Sequence, residues 1–197
     1  IAMGDTKRTD DRPSSGKAGF TLLELLTAMA IAGVVMTSVY SAYLSQNKAY
    51  QTQENVAAVQ QNLRAALYFM EREIRMAGYD PEDNTAAGIT GPLSNPQTNI
   101  QFTLDRNKNG VIAGNDETLQ YRYDSTDGQI ERVLGGGASV QPIAEHITGL
   151  EFTFTTASGV STTVADQVRY VNLSVSGRKG DHQRTVSSQI ACRNLGL

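Results

Sequence analysis

The sequence predicts an α+β fold in which one long N-terminal α-helix packs on a C-terminal antiparallel β-sheet domain. Two observations lead to this prediction. Neither a proline nor a helix-terminating cluster interrupts residues 20–77, and the first half of that stretch is strongly apolar. From about residue 100 the chain changes to short runs in which apolar and polar side chains alternate, which is typical of half-buried strands.

The apolar half of the predicted helix is long enough to cross a membrane. Residues 25–44 are apolar or small apart from scattered hydroxyls, and a helix of that length spans the hydrocarbon core of a bilayer. Basic residues precede this segment, whereas only Lys48 follows it closely. The positive-inside rule therefore predicts a cytoplasmic N-terminal segment and an extracytoplasmic globular part.

Beyond the membrane segment the helix is amphipathic. We predict that it runs from Phe20 to Ala77 and ends at Gly78, with Pro81 soon after. Its buried stripe is predicted from apolar residues at spacings of three and four, which are Val56, Val59, Leu63, Leu67, Met70 and Ile74. Its solvated face in the last turns is interpreted as carrying Glu71, Arg72, Glu73 and Arg75.

The C-terminal part is predicted to contain antiparallel strands. Period-two alternation places them at residues 100–104, 118–123, 149–155 and 168–176. Connectors rich in Gly, Asn and Asp separate them, as hairpin turns and surface loops require, at residues 107–115, 127–128 and 135–137.

Composition excludes some classes of function. The chain has 197 residues and a formal net charge of -3, so it lacks the basic excess that neutralises a phosphate backbone, and nucleic acid is not an expected partner. Its one cysteine, Cys192, cannot form an intrachain disulfide, and no Cys/His cluster offers ligands for a structural zinc. No convergent set of titratable residues predicts an enzyme, and no cofactor is required.

A glutamate at the start of the membrane segment identifies the family that the chain resembles. Glu24 would cost about 3 kcal/mol in hydrocarbon unless something compensates for its charge. Together, Gly19, Phe20 and Glu24 resemble the processing signature of type IV prepilins and type II secretion pseudopilins. A signal anchor with a glutamate near the membrane interface is the plainer alternative for Glu24 alone.

The resemblance implies a processing and assembly mechanism. A prepilin peptidase would cut between Gly19 and Phe20, the new terminal amine of Phe20 would be N-methylated, and Glu24 would serve assembly. The cationic amine of Phe20 would pair with Glu24 of a neighbouring subunit and offset part of its burial cost. The implied fold is pilin-like, and the implied location is the inner membrane, crossed once, with a periplasmic globular domain that later joins a filament.

Each segment then receives an expected role. Residues 1–19 are expected to be a cytoplasmic leader peptide, and residues 20–44 the transmembrane and filament-core half of the helix. Residues 45–78 are expected to be its amphipathic half, and residues 79–197 a periplasmic β-rich domain. The expected partners are prepilin peptidase, other major and minor pilins or pseudopilins, and the inner membrane.

Further segments indicate which member of the family the chain resembles. Residues 62–67, 71–81 and 193–197 are similar to minor pilins of the PilW type, which implies a subunit of an initiating or tip complex of a type IV pilus. J-type minor pseudopilins of type II secretion have a related helix and sheet, so that reading stays open. A signal-anchored periplasmic binding domain is the alternative from another class.

One loop resembles half of a calcium-binding motif. Residues 105–117 follow the first half of an EF-hand loop, with Gly110 at the sharp turn. The predicted ligands are side-chain oxygens and one carbonyl, from Asp105, Asn107, Asn109, Val111 (carbonyl) and Asp116. A glutamate is expected at the twelfth position, yet Glu117 comes one residue late. The alternative is a plain hairpin loop in which Asn109-Gly110 supplies the positive φ.

Overall fold

The computed structural model describes residues 19–83 and 85–195. In this part of the chain one long helix, α1 (Leu22–Ile74), precedes all the strands. The strands are β1 (Ile89–Thr90), β2 (Asn99–Thr103), β3 (Thr118–Asp124), β4 (Gln129–Leu134), β5 (Ser139–Ala144), β6 (Ile147–Thr155), β7 (Tyr170–Lys179) and β8 (His182–Ala191). A helix packed on antiparallel strands confirms the predicted α+β, pilin-like layout. The predicted leader falls almost wholly on residues 1–18, which lie outside the described residues.

Regular helix covers fewer residues than the sequence predicted, because its last turn tightens before the chain leaves it. The N–H groups of Met76 and Ala77 donate to carbonyls only three residues back, both at 3.0 Å. Gly78 follows with a φ of 78°, and its N–H donates to the carbonyl of Thr103 at 3.0 Å. A glycine is required here because L-residues rarely adopt this left-handed conformation. The chain therefore turns away from the helix at Gly78, the predicted end, although regular helix stops at Ile74.

The strands form two antiparallel sheets. The first has the order β1-β2-β3-β4-β5, and the second has the order β6-β7-β8. A short bridge joins the segment before β2 to β6, and in it the backbones of Gln97 and Phe152 exchange two hydrogen bonds of 3.0 and 2.8 Å. Each sheet is a meander, so every pairing within it joins neighbours in the sequence.

The four predicted strands correspond to β2, β3, β6 and β7, and the connectors predicted between strands are confirmed. The sequence did not predict β1, β4, β5 and β8. Strand β5 contains Pro142, which is tolerated because β5 lies at the edge of the first sheet. In β8 the core-facing positions are Val186, Ser188 and Ile190, so the serine interrupts the alternation that would have revealed the strand.

One face of the C-terminal half of α1 belongs to the hydrophobic core. Its buried residues are Val59, Leu63, Ala66, Met70 and Ile74. The predicted stripe was correct at four of these positions, whereas Ala66 replaces Leu67, and the predicted Val56 and Leu67 are only partly buried. Close approach to the second sheet is possible at Gly177, where an added Cβ would lie 3.3 Å from Leu63 Cδ2 and 3.1 Å from the carbonyl of His146.

The chain divides into two compact units, Ile1–Lys48 and Ala49–Leu197. In the first unit every described side chain is exposed, including large apolar ones such as Phe20 and Leu22. Helix α1 is long and apolar enough to cross a membrane. In the second unit the core residues of the helix and of both sheets form one cluster.

We predict that Leu63→Ala lowers the free energy of unfolding by about 2–5 kcal/mol, because Leu63 is fully buried and its truncation leaves a cavity. Gln61→Ala is the matched control, since Gln61 is exposed on the same helix. Urea unfolding of the detergent-purified full chain measures both variants. Equal midpoints for the two would show that α1 does not pack on the sheets through this stripe.

Candidate functional site

The residues carrying the processing signature lie at the start of α1 and form a helix cap. Gly19, Phe20 and Thr21 precede the first helical residue, and Phe20 is 89% exposed. The carboxylate oxygen Oε2 of Glu24 accepts hydrogen bonds from the Thr21 N–H and the Thr21 hydroxyl, both at 2.9 Å. The Thr21 hydroxyl in turn accepts from the Glu24 N–H at 3.2 Å. This reciprocal pattern is a capping box.

The capping box gives Glu24 a partner within its own chain. It satisfies two N–H donors that a helix start leaves open, and it places a negative charge at the positive end of the helix dipole. Both bonds use Oε2, so Oε1 accepts no hydrogen bond from the described residues. Sequence analysis missed this role, although the spacing of Thr21 and Glu24 matches the capping-box pattern.

Three Ser and Thr hydroxyl groups within the apolar part of α1 are satisfied locally. Thr37, Ser38 and Ser41 each donate to the carbonyl four residues before, at 2.8 to 2.9 Å. Such bonds remove the need for water and allow these residues to lie in lipid or against another helix. Together with Ala30 and Gly33 they line a shallow groove of small side chains. Small residues let helix backbones approach closely in a membrane or a bundle.

In the globular unit, α1 is joined to the first sheet by a half-buried ion pair. Arg132 on β4 donates from Nη2 to Glu73 Oε1 at 2.7 Å and from Nε to Glu73 Oε2 at 2.8 Å. The Tyr121 hydroxyl on β3 donates to the same Oε2 at 2.6 Å. The interpretation of Glu73 as part of the solvated face is therefore wrong. The sequence gives no signal for this pairing, because the partners lie 48 and 59 positions away.

Burial and charge change the acidity of this cluster. Burial raises the pKa of the Tyr121 phenol, and the adjacent Glu73 carboxylate raises it further. The hydrogen bonds to Glu73 raise the pKa of the Arg132 guanidinium. The phenol therefore remains protonated and the guanidinium charged, as both must be to donate to Glu73.

The predicted calcium loop is organised around Asp105. Asp105 is fully buried, and its Oδ1 accepts the N–H groups of Lys108 at 2.7 Å and Asn109 at 3.2 Å. Its Oδ2 accepts the N–H of Gly110 at 2.9 Å. Asn107 Oδ1 accepts the N–H of Asn109 at 2.9 Å. Asn109 Oδ1 accepts the N–H of Val111 at the same distance. Side chains predicted to bind calcium thus support the loop backbone.

The far end of the loop places its two acidic residues in opposite environments. Glu117 is fully buried, and its Oε2 accepts the N–H groups of Ala113 at 3.1 Å and Gly114 at 2.7 Å. Asp116, the predicted twelfth-position ligand, has a side chain that is 58% exposed and lies 3.5 Å from Arg106. Among residues 19–83 and 85–195, no group of three or more His, Cys, Asp or Glu side chains is placed to hold a metal. Calcium binding stays a prediction.

Two family models match the chain. The model described as Prepilin peptidase-dependent protein B matches residues 52–192, which is more than two thirds of the chain. The model described as Prokaryotic N-terminal methylation motif matches residues 14–40, a stretch that includes Gly19, Phe20 and Glu24. No curated protein matches the chain.

The raised pKa of Tyr121 predicts a loss of stability at alkaline pH. In the unfolded chain the phenol ionises near pH 10, whereas in the folded protein it ionises only at higher pH. Its contribution to stability is therefore fully present below pH 10 and is lost above it, by up to about 1.4 kcal/mol per pH unit. Urea unfolding between pH 8 and about pH 11 should show a steeper decline for the wild type than for Tyr121→Phe. Tyr68→Phe, at an exposed position, should retain the wild-type slope.

The Asp105 loop gives a second prediction. Asp105→Asn should lower stability by about 1–3 kcal/mol without added metal, because an amide nitrogen cannot accept the backbone N–H groups that a carboxylate oxygen accepts. Asp116→Asn should cost at most about 1 kcal/mol, since Asp116 forms only an exposed pair. Thermal unfolding of both variants measures the difference, and equal Tm values would contradict it.

The same variants test calcium binding. If the loop binds calcium, millimolar calcium should raise the Tm of the wild type and should leave that of Asp105→Asn unchanged. A wild-type Tm that is independent of calcium would contradict the calcium prediction. The loop would then be held by its hydrogen bonds to Asp105 and Glu117 alone.

Proposed function

The chain belongs to the prepilin peptidase-dependent protein B family, and from that premise we propose that it is a minor pilin-like structural subunit for type IV pilus assembly. Its place would be in an initiating or tip complex. The observation that carries the proposal is the capped start of α1, where Phe20 of an exposed Gly19-Phe20 step lies four residues before a glutamate on an apolar helix. The similarity of residues 62–67 and 71–81 to minor pilins of the PilW type supports the choice of pilus.

Processing would separate the leader from the helix at an accessible bond. Gly19 and Phe20 lie outside the regular helix, and both residues are exposed. A peptidase needs to extend the backbone at the bond that it cuts, so a step outside the helix is a suitable substrate. Cleavage between these residues, followed by N-methylation, would leave a cationic secondary amine on Phe20. The leader, residues 1–19, would remain in the cytoplasm.

Assembly would then use the two oxygens of Glu24 for different partners. Oε2 is held by Thr21 of the same chain, whereas Oε1 is open to the amine of Phe20 in a neighbouring subunit. Such a pair offsets part of the cost of placing a carboxylate in hydrocarbon. The apolar residues of α1 would exchange lipid for the helices of other subunits, with the groove around Gly33 allowing close packing.

Two alternatives remain distinct from this proposal. A J-type minor pseudopilin of a type II secretion system would share the processing and the fold, and would differ in the machinery that it needs. Deletion of the other pilus subunits or of the secretion pseudopilins distinguishes the two. A signal-anchored periplasmic binding domain would keep its leader when prepilin peptidase is present. The charge distribution supports a periplasmic location of residues 79–197, which is part of the proposal.

Mass spectrometry of the protein from its native membranes tests the processing. We expect the mature chain to begin at Phe20 with one added methyl group, and the leader to remain attached in a strain that lacks prepilin peptidase. A mature chain that retains residues 1–19 in the presence of the peptidase would contradict membership of an assembled filament.

Substitutions of Glu24 separate its charge from its capping role. Glu24→Gln keeps an oxygen that can accept from Thr21, because glutamine also completes a capping box, but it removes the charge. Glu24→Ala removes both. If the charge pairs with Phe20 of a neighbour, both variants should be processed normally and should reduce filament incorporation at least about tenfold, which corresponds to about 1.4 kcal/mol. Incorporation of Glu24→Gln at the wild-type level would leave Glu24 with the capping role alone. Thr21→Ser, which retains the hydroxyl, is the matched control.

A further inference from the structure

A groove on the globular unit has no role in the function proposed above. It lies between the C-terminal turns of α1 and the segment around residues 104–108, with a volume of about 860 Å³. Apolar side chains of α1 and of the turn that follows it line one part of the groove, and cationic side chains line another. We call it the basic groove, and define it by Tyr68, Phe69, Met76, Arg72, Arg75 and Lys108.

The apolar part of the basic groove is exposed to an extent that is unusual for large side chains beside a core. Tyr68, Phe69 and Met76 are 62%, 47% and 41% exposed. The rings of Tyr68 and Phe69 form an edge-to-face pair with centroids 6.0 Å apart. None of these residues belongs to the buried stripe of α1. A contiguous apolar surface rimmed by charges is typical of a site that another protein covers.

The charged part of the groove carries uncompensated positive charge. Arg72, Arg75 and Lys108 form no ion pair within the described residues, and Arg72 is exposed in the last turn of the helix. Of the two glutamates beside them, Glu73 is neutralised by Arg132. Glu71 alone remains to oppose three cations. This local excess occurs in a chain whose formal net charge is -3.

We infer that the basic groove binds an acidic amphipathic helix of a different subunit of the same filament. This inference rests on the proposed function. Tyr68 and Arg72 lie four positions apart on one ridge of α1, a surface that can pack against a second helix, and Met76 follows in the turn beyond the helix. The partner helix would bury apolar residues on Phe69 and Met76 and place carboxylates against Arg75 and Lys108. A symmetric contact with a second copy is disfavoured because it would bring the same cations together.

Site-specific photocrosslinking in the native cells tests the inference. A benzoylphenylalanine at Phe69 of the full chain is the probe, and mass spectrometry identifies the peptide that it captures. We expect an acidic helical segment of another pilin-like subunit. The double variant Arg75→Glu/Lys108→Glu should reduce this adduct at least about fivefold. Reversing the charge of the captured acidic residues should restore it.

A matched control separates the groove from net charge. The double variant Lys179→Glu/Arg184→Glu changes the charge by the same amount on the β7–β8 hairpin, away from the groove lining, and should leave the adduct unchanged. Equal Tm values for the two double variants exclude unfolding as the cause. Capture of a second copy of this chain, capture of lipid, absence of any adduct, or equal loss in both double variants would overturn the inference.

The two proposals fail in distinguishable ways. The same samples report the N-terminus of the chain and its incorporation into the filament. A processed and incorporated chain that gives no groove adduct would overturn only the groove inference. A chain that retains its leader would overturn the proposed function.

Discussion

The structure depends on one continuous helix that has to satisfy two different surroundings. In residues 22–48 of α1 every side chain is exposed, and most are apolar, so this part needs lipid or other helices around it. In its C-terminal part only the stripe from Val59 to Ile74 is buried, and it forms the core together with the sheets. A helix satisfies its own backbone groups, which is why one element serves both surroundings. Only the types of side chain differ between its two parts.

The first turn of α1 has to satisfy its own backbone at the start of the apolar part. A helix start leaves N–H groups unpaired, and in hydrocarbon no water is available to satisfy them. The bonds between Thr21 and Glu24 answer this need within the chain. A carboxylate that appears costly when the sequence is considered residue by residue is thus also the cap of the helix. Because the cap uses Oε2, the same side chain retains an acceptor for an interaction outside its own chain.

Much of the fold could be predicted from the sequence because local patterns determine it. The uninterrupted α1, the departure at Gly78 and strands β2, β3, β6 and β7 all follow from periodicity and turn residues. Strand β8 was missed because its alternation of apolar and polar residues is weak. Its pairing with β7 holds it in the sheet. In the candidate site, Gly19, Phe20 and Glu24 were recognisable as a motif. The bonds of Glu73 to Tyr121 and Arg132 were not, because contacts between residues so distant in sequence depend on how the sheet lies against the helix.

The ion pair between Glu73 and Arg132 also explains the excess of positive charge at the C-terminal end of α1. If Glu73 were solvated, its charge and that of Glu71 would balance Arg72 and Arg75 and leave the end of the helix nearly neutral. Instead, both of its oxygens are bound by Arg132, so its charge is used within the fold. The positive charge of Arg72 and Arg75 then remains at the surface, beside the exposed Phe69 and Met76. The contact that fixes the helix to the first sheet therefore also determines the charge that the basic groove presents to a partner.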